Sequence, residues 1–342
     1  MKIKNSKIIV AALSLGLILS ACGNNDAKTE NKEEKPATES TDTKAEDAKT
    51  EDTKTEDTKT EDTKTEDAKT EDTKTEDTAN AEDYDFAVVS REEGSGTRGA
   101  FIELVGLEEK KDDGSKEDHT TVDAIVQNST NGVMTAVAQD PKAIGYISLG
   151  SLNDTIKAVK VEGVEATEEN IVKGDYKISR PFNLAYKEDK IDDLAKDFLA
   201  YCMSTEAQKI VTDEGYIAIK DAKEYSKADG LKGTLTVAGS TSVTPLMEKF
   251  KEAYEALNPD VTIEIQSNGS SAGIEACIDD VAQIAMASRE LKDEEKEQLK
   301  AEVIATDGIA VVVNKESKVE DLTMDQLKQI FAGEIKNTGE LK

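Results

Sequence analysis

The sequence predicts an α/β protein, because three stretches share one plan: a short β-branched strand, a turn of glycine and hydroxyl residues, and an apolar helix. In the first, Phe86 to Ser90 is the strand, Arg91-Glu92-Glu93-Gly94-Ser95-Gly96-Thr97 is the turn, and Gly99 to Gly106 continues as a helix. In the second, Thr234 to Ala238 alternates as a strand, Gly239-Ser240-Thr241-Ser242 turns, and Pro245 stands where a starting helix accepts it. Leu246, Met247, Phe250, Ala253, Tyr254 and Leu257 then recur at three- and four-residue spacing, the mark of a helix with one face on a core. In the third, Val261 to Ile265 is the strand, Asn268-Gly269-Ser270-Ser271-Ala272-Gly273 turns, and Ile274 to Ile284 is helical.

Each turn suits a small anion for the same reason. Glycine lets the backbone bend sharply and lets a guest come close, hydroxyls cap the helix or donate to the guest, and the unpaired N–H groups of a first helical turn favour negative charge. A lone turn of this kind is usually a cap, but here there are three, and one carries Arg91. Gly94, Gly96 and Gly99 also spell G-x-G-x-x-G, yet the arginine, two acids and two hydroxyls at that turn argue against a dinucleotide. No G-x-x-x-x-G-K-[ST] stretch occurs. The single histidine, His119, lies in a polar loop, so Ser95 and Ser270 lack a base, and no metal-ligand spacing occurs. The chain is therefore read as a binding protein without catalytic residues, metal or cofactor.

The chain opens with Lys2, Lys4 and Lys7 ahead of an apolar run from Ile8 to Leu19, too short to span a bilayer comfortably, and residues 1–21 read as an export signal. The run closes on Leu19-Ser20-Ala21-Cys22, which resembles the lipobox of bacterial lipoproteins and implies cleavage before a lipid-modified Cys22. Residues 22–83 have almost no aliphatic side chain larger than alanine, and from Ala45 they repeat a five-residue Thr-Glu-Asp-Thr-Lys unit. Such a segment cannot bury enough apolar surface to offset the entropy of ordering, and is expected to be a disordered, acidic, self-repelling tether. Residues 84–342 remain for the folded part. About −20 of the formal charge of −29 falls there, which excludes a nucleic-acid binder but not a small anion held by directed hydrogen bonds. Cys202 and Cys277 each sit in an apolar helical pattern; they could pair after export, but they read first as buried free thiols, a choice that spacing does not settle.

On these residues the chain resembles the substrate-binding lipoproteins of high-affinity phosphate ABC transporters. The resemblance is carried by Thr236-Val237-Ala238-Gly239-Ser240-Thr241-Ser242-Val243, Asn268-Gly269-Ser270-Ser271-Ala272-Gly273, Ala287-Ser288-Arg289-Glu290-Leu291, Ser90-Arg91-Glu92-Glu93-Gly94-Ser95-Gly96-Thr97-Arg98 and Ala143-Ile144-Gly145-Tyr146. It implies a two-lobe periplasmic-binding-protein-like fold of type II, with inorganic phosphate in the inter-lobe cleft, a membrane ABC permease as partner, and attachment by a lipid to the extracellular face of the cell membrane. Carried over by position, the phosphate contacts fall on Thr241, Ser242 and Ser270 from one lobe. From the other they fall on Arg91 as a cationic fork, Glu93 as its orienting acid, and Ser95, Gly96 and Thr97. The alternative reading is a surface adhesin or signalling lipoprotein that keeps the fold without transport.

Two departures from the family pattern follow. Where the family has an aspartate that accepts the ligand's proton, after the serine matching Ser288, this chain has Arg289, which leaves the role to Glu290 or Glu93. The order is also inverted. The family's first half matches residues 229–342 and its second half residues 84–228, so the chain reads as a circular permutation, with a truncated tandem duplication as the rival. One lobe is expected to take Tyr84 to Ile178 and Val319 to Lys342, the other Ser179 to Lys315, with crossings at Ser179 to Phe182 and at Asn314 to Lys318.

Overall fold

The computed structural model describes residues 83–111 and 114–341. The expected signal, Cys22, and the tether up to residue 82 lie outside the described residues. The chain forms β1 (Ala87–Arg91), α1 (Gly96–Leu104), a hairpin of β2 (Glu108–Lys110) and β3 (Lys116–Asp118), β4 (Ile125–Gln127), α2 (Thr130–Gln139), β5 (Ala143–Ser148), β6 (Ile156–Ala158), β7 (Lys160–Val161) and α3 (Glu168–Lys173). It continues through β8 (Ser179–Tyr186), α4 (Asp193–Cys202), α5 (Thr205–Asp213), β9 (Gly233–Gly239), α6 (Thr244–Leu257), β10 (Val261–Ser267), α7 (Ser270–Ile278), β11 (Ile284–Ala287) and α8 (Asp293–Lys296). It ends with β12 (Lys300–Asn314), β13 (Asp321–Leu322) and α9 (Met324–Ala332).

The main sheet runs β10-β9-β11-β8-β12-β5-β1-β4, with β6 also on β12. Its middle strand, β12, changes partner along its length. Up to Gly308, opposite Ser179, it pairs with β8; from Ile309, opposite Ser148, it pairs with β5. The apolar side chains divide at the same place. Phe101, Tyr146, Ile178, Val311 and Phe331 share one core, and Phe182, Phe198, Met247, Phe250 and Ile304 share another. Lobe A is therefore residues 84–178 with 309–341, and lobe B is the uninterrupted stretch 179–308.

The first crossing falls at the start of β8, where the sequence placed it. The second does not fall at Asn314 to Lys318: it lies inside β12, at Gly308–Ile309. Ile304 to Val313 is a nearly continuous buried run that serves both sheets, so no polar loop marks the crossing. Lobes and sequence halves are consequently different divisions of the chain, since lobe B draws on residues from both sides of position 229.

Two helices begin earlier than their periodicity suggested. Ser95 accepts a hydrogen bond from the amide of Arg98 as N-cap, so α1 starts at Gly96. Gly269, at φ +97°, turns the chain into α7, so that Ser270 to Gly273 form its first turn rather than a loop ahead of it. Helix α7 also stops at Ile278, short of the expected Ile284, which opens β11 instead. The left-handed Asp280, at φ +59°, reverses the chain between them.

The first and last described segments meet in lobe A. The Tyr84 amide donates to Thr338 Oγ1 at 3.0 Å, the Thr338 amide to the Tyr84 carbonyl at 3.0 Å, and the Phe86 amide to the Lys336 carbonyl at 2.8 Å. Cys202 and Cys277 are buried free thiols, and burial pushes both up from the ordinary thiol range.

Candidate functional site

Four helices point their N-termini into the space between the lobes: α1 and α2 from lobe A, α6 and α7 from lobe B. The tight packing behind them requires glycine. A Cβ on Gly239, at φ +140°, would lie 2.2 Å from the Met286 carbonyl oxygen, so β9 can turn against β11 only without one. Across the cleft a Cβ on Gly96 would lie 2.4 Å from Ser270 Oγ and 2.7 Å from Ser288 Oγ, which sets how closely α1 approaches lobe B.

Arg91 ends β1 with its side chain 2% exposed. Its Nε donates to Glu92 Oε2 at 2.9 Å and to the Gln127 carbonyl at 3.2 Å. Its Nη2 donates to Glu92 Oε1 at 2.8 Å and, across the cleft, to Thr241 Oγ1 at 3.1 Å. From behind, the Tyr146 hydroxyl accepts from the Arg91 amide at 3.3 Å and shares a hydrogen bond with Ser90 Oγ, while its ring stacks on Phe101 at 4.0 Å. Burial pushes the Tyr146 phenol up, so it stays protonated while it holds this end of the strand. Arg98 braces the loop from the other side, with Nη1 on the Arg91 carbonyl at 2.7 Å and Nη2 on Asp118 at 2.8 Å.

The hydroxyls of the four turns come together. Thr97 Oγ1 lies 2.9 Å from Ser242 Oγ, Thr130 Oγ1 lies 3.1 Å from Ser242 Oγ, and Ser240 Oγ donates to Ser288 Oγ at 2.8 Å. Ser270 Oγ accepts from the Ser288 amide at 3.2 Å. The Ser271 amide, in the first turn of α7, donates to the Gly94 carbonyl at 3.1 Å and joins the lobes through backbone alone. Arg91, Ser95, Thr97, Ser242, Ser270 and Ser288 are all buried.

Of the residues singled out from sequence, Arg91, Gly96, Thr97, Thr241, Ser242 and Ser270 are brought together, with Ser95 capping α1 at the edge of the group. Glu93 is not. It is exposed on the turn, and both carboxylate contacts to Arg91 come from Glu92, the residue directly beside it on the chain. Glu290 is also exposed. Arg289 faces its own lobe: Nη1 and Nη2 grip Glu295 at 2.7 and 2.8 Å, and its stem rests against Gly99 of lobe A. Burial pushes the Glu295 carboxyl up, but hydrogen bonds from Arg289 and the Lys292 amide outweigh it and leave the group below its ordinary 4.5.

A fourth arginine, Arg180, lies at the lobe crossing. Nη2 pairs with Asp307 at 3.0 Å, Nη1 donates to the Ser288 carbonyl at 3.1 Å, and Ser148 Oγ of lobe A donates to Asp307 at 2.9 Å. Each arginine around the cleft thus arrives with its own carboxylate. The attraction left over for a guest comes from directed donors: helix N-termini, hydroxyls and one edge of Arg91. Sequence reasoning missed Thr130 and the roles of Ser288, Glu92, Tyr146 and Arg180. For Thr130 a signal existed, since Ile125-Val126-Gln127-Asn128-Ser129-Thr130-Asn131-Gly132 is a fourth strand–hydroxyl–helix passage.

Two α/β lobes joined by two strands, with a cleft lined by donors, define a bilobal solute-binding protein of the periplasmic-binding-protein type. The family described as the PBP superfamily domain matches residues 63–206 and 226–338. The phosphate-binding protein PstS 2 of Streptococcus agalactiae serotype V is 53% identical over 255 residues, 74% of this chain and 87% of that protein. A crystal structure of a phosphate-binding protein of a phosphate ABC transporter from Streptococcus pneumoniae is 46% identical, with a TM-score of 0.61 over 75% of this chain and all of that one. The PstS of Bacillus subtilis is 33% identical over 151 residues, 44% of this chain and 47% of that protein. The chain belongs to the PstS family of phosphate-binding proteins, the solute-binding components of ABC transporters, and this family is not enzymatic.

Proposed function

We propose that this chain captures inorganic phosphate between its lobes and delivers it to a membrane ABC permease, held to the extracellular face of the membrane by a lipid on Cys22. The observation that carries the reading is the meeting of four helix N-termini and the open edge of Arg91 in one buried, hydroxyl-lined cleft. Positive dipole ends directed at one another are mutually unfavourable until an anion lies between them. Arg91, Ser95, Gly96 and Thr97 would bind from lobe A and Thr241, Ser242 and Ser270 from lobe B, with Glu92 rather than Glu93 orienting the arginine. The adhesin or signalling reading draws no support from the relatives named above, which are phosphate-binding proteins.

Calorimetric titration with phosphate tests the reading. The parent should bind one phosphate per chain, and Arg91→Ala should lose about 2–5 kcal/mol, since it removes a charge-assisted donor from a desolvated site. Equal affinity in the variant would reject the assignment. For the anchor, membrane fractionation of the full chain should find Cys22→Ala released to the soluble fraction; a variant that stays in the membrane puts the attachment elsewhere.

The inverted order of the halves, 229–342 for the family's first and 84–228 for its second, is part of the same proposal. Two observations support a permutation. The chain's two described ends are hydrogen-bonded neighbours, and a collinear match to the Bacillus subtilis protein stops at about half of either chain.

A further inference from the structure

We infer that Thr130 is a phosphate-binding residue, its amide and hydroxyl donating to the anion oxygen that Arg91 also grips, so that α2 is a fourth helix facing the ligand. The inference rests on the phosphate reading above and adds to it a residue and a helix that the sequence motifs do not reach.

Helix α2 is ten residues long, and its N-cap is Ser129, whose side chain accepts from the Gly132 amide. That bond satisfies the third helical N–H. The amide of Thr130, the first residue of the helix, has no carbonyl one turn back to receive it. It points across the cleft to Thr241 Oγ1 at 3.3 Å. The Thr130 hydroxyl is not needed as a cap, and it too points across, to Thr241 Oγ1 at 3.3 Å and Ser242 Oγ at 3.1 Å. The residue is 4% exposed. A buried threonine whose amide and hydroxyl both leave their own lobe is placed for something in the cleft.

Thr241 Oγ1 marks where that is. Two N–H donors from lobe A converge on this one oxygen, Arg91 Nη2 at 3.1 Å and the Thr130 amide at 3.3 Å. The first distance lies toward the long end of the N–H to oxygen range and the second just beyond it, as suits a neutral hydroxyl shared by a guanidinium and a helix terminus. An anionic oxygen at that focus would be a stronger acceptor for both and would draw them in. Once both donors turn to that anionic oxygen, the Thr241 hydroxyl can offer its own proton to the same anion.

The test uses the purified full chain and inorganic phosphate, with Thr130→Val, Thr130→Ser and Thr130→Pro. Valine removes the hydroxyl at nearly constant shape. Proline removes the N–H at a first helical position, where helices tolerate it. Calorimetry should give a loss of about tenfold to a hundredfold for Thr130→Val and for Thr130→Pro, and near-parental affinity for Thr130→Ser. The amide resonance of residue 130, identified by its disappearance in Thr130→Pro, should move downfield when phosphate is added, which a purely structural threonine would not show. If Thr130→Pro fails to fold, Thr130→Val and the resonance of Thr130→Ser decide. A parent that binds phosphate while Thr130→Val keeps its affinity and the amide stays in place overturns the inference alone. A parent that takes up no phosphate overturns it together with the reading on which it rests.

Discussion

Arg91 could be named from sequence because it is an arginine at a glycine-hydroxyl turn, and the chemistry of that pairing does not depend on the fold. Its carboxylate partner could not be chosen the same way. Glu92 and Glu93 are adjacent and chemically alike, and only the path of the chain after β1 decides that Glu92 folds back on the guanidinium while Glu93 turns to water. Arg289 shows the complementary case, where a departure from a motif is visible in sequence but the Glu295 that neutralises it, six residues on, is not. Gly96 gives a sharp test at this scale. Alanine should suit the first turn of α1 at least as well as glycine, so the thermal midpoint should hold or rise. Yet its Cβ would meet Ser270 Oγ and Ser288 Oγ at 2.4 and 2.7 Å, and holding the lobes apart should weaken phosphate binding by roughly tenfold or more. Unchanged affinity in Gly96→Ala, measured by titration beside a melting curve, would mean that the lobes need not approach this closely to bind.

Among the elements, those with a full helical period were legible. Leu246, Met247, Phe250 and Tyr254 are buried along one face of α6, as their spacing predicts. Boundaries were harder, because glycine and serine read as loop wherever they cluster. The first turns of α1 and α7 are rich in those residues, so the segments that hold the cleft-facing amides looked like connections rather than helix. The passage into α2 escaped notice because β4 is three residues long and its glycine, Gly132, follows the hydroxyls instead of preceding them. Strand β12 failed for the opposite reason. A fifteen-residue strand runs unbroken and buried through the crossing, and its Thr306-Asp307-Gly308 does not say in sequence that one pairing ends and another begins within a single strand. The buried Arg180–Asp307 pair sits at that point, and neither residue belongs to a motif.

At the scale of the whole molecule, the proposed inversion of the halves has a physical consequence that can be tested. The two described ends are paired in lobe A, whereas residues 226–230, between α5 and β9, are exposed. A chain that starts at about Lys232, runs to Lys342, continues through a short Gly/Ser linker into Tyr84 and stops near Gly230 should fold as a monomer and bind one phosphate. Loop-closure entropy varies slowly with length, so the stability by urea titration should differ from the parent by no more than about 1 kcal/mol. Sedimentation that finds an obligate dimer, or a monomer without a site, would favour halves that seek their complement in a second chain. The pairing of Tyr84 and Phe86 with Lys336 and Thr338 also fixes how the molecule carries load. A pull applied to the two ends of the folded part passes directly from residue 84 to residue 338 inside lobe A, and its first effect is to peel that short contact open. Lobe B hangs outside this line of tension as a closed excursion of the chain from residue 179 to residue 308, so a tug on the ends leaves that side of the cleft slack.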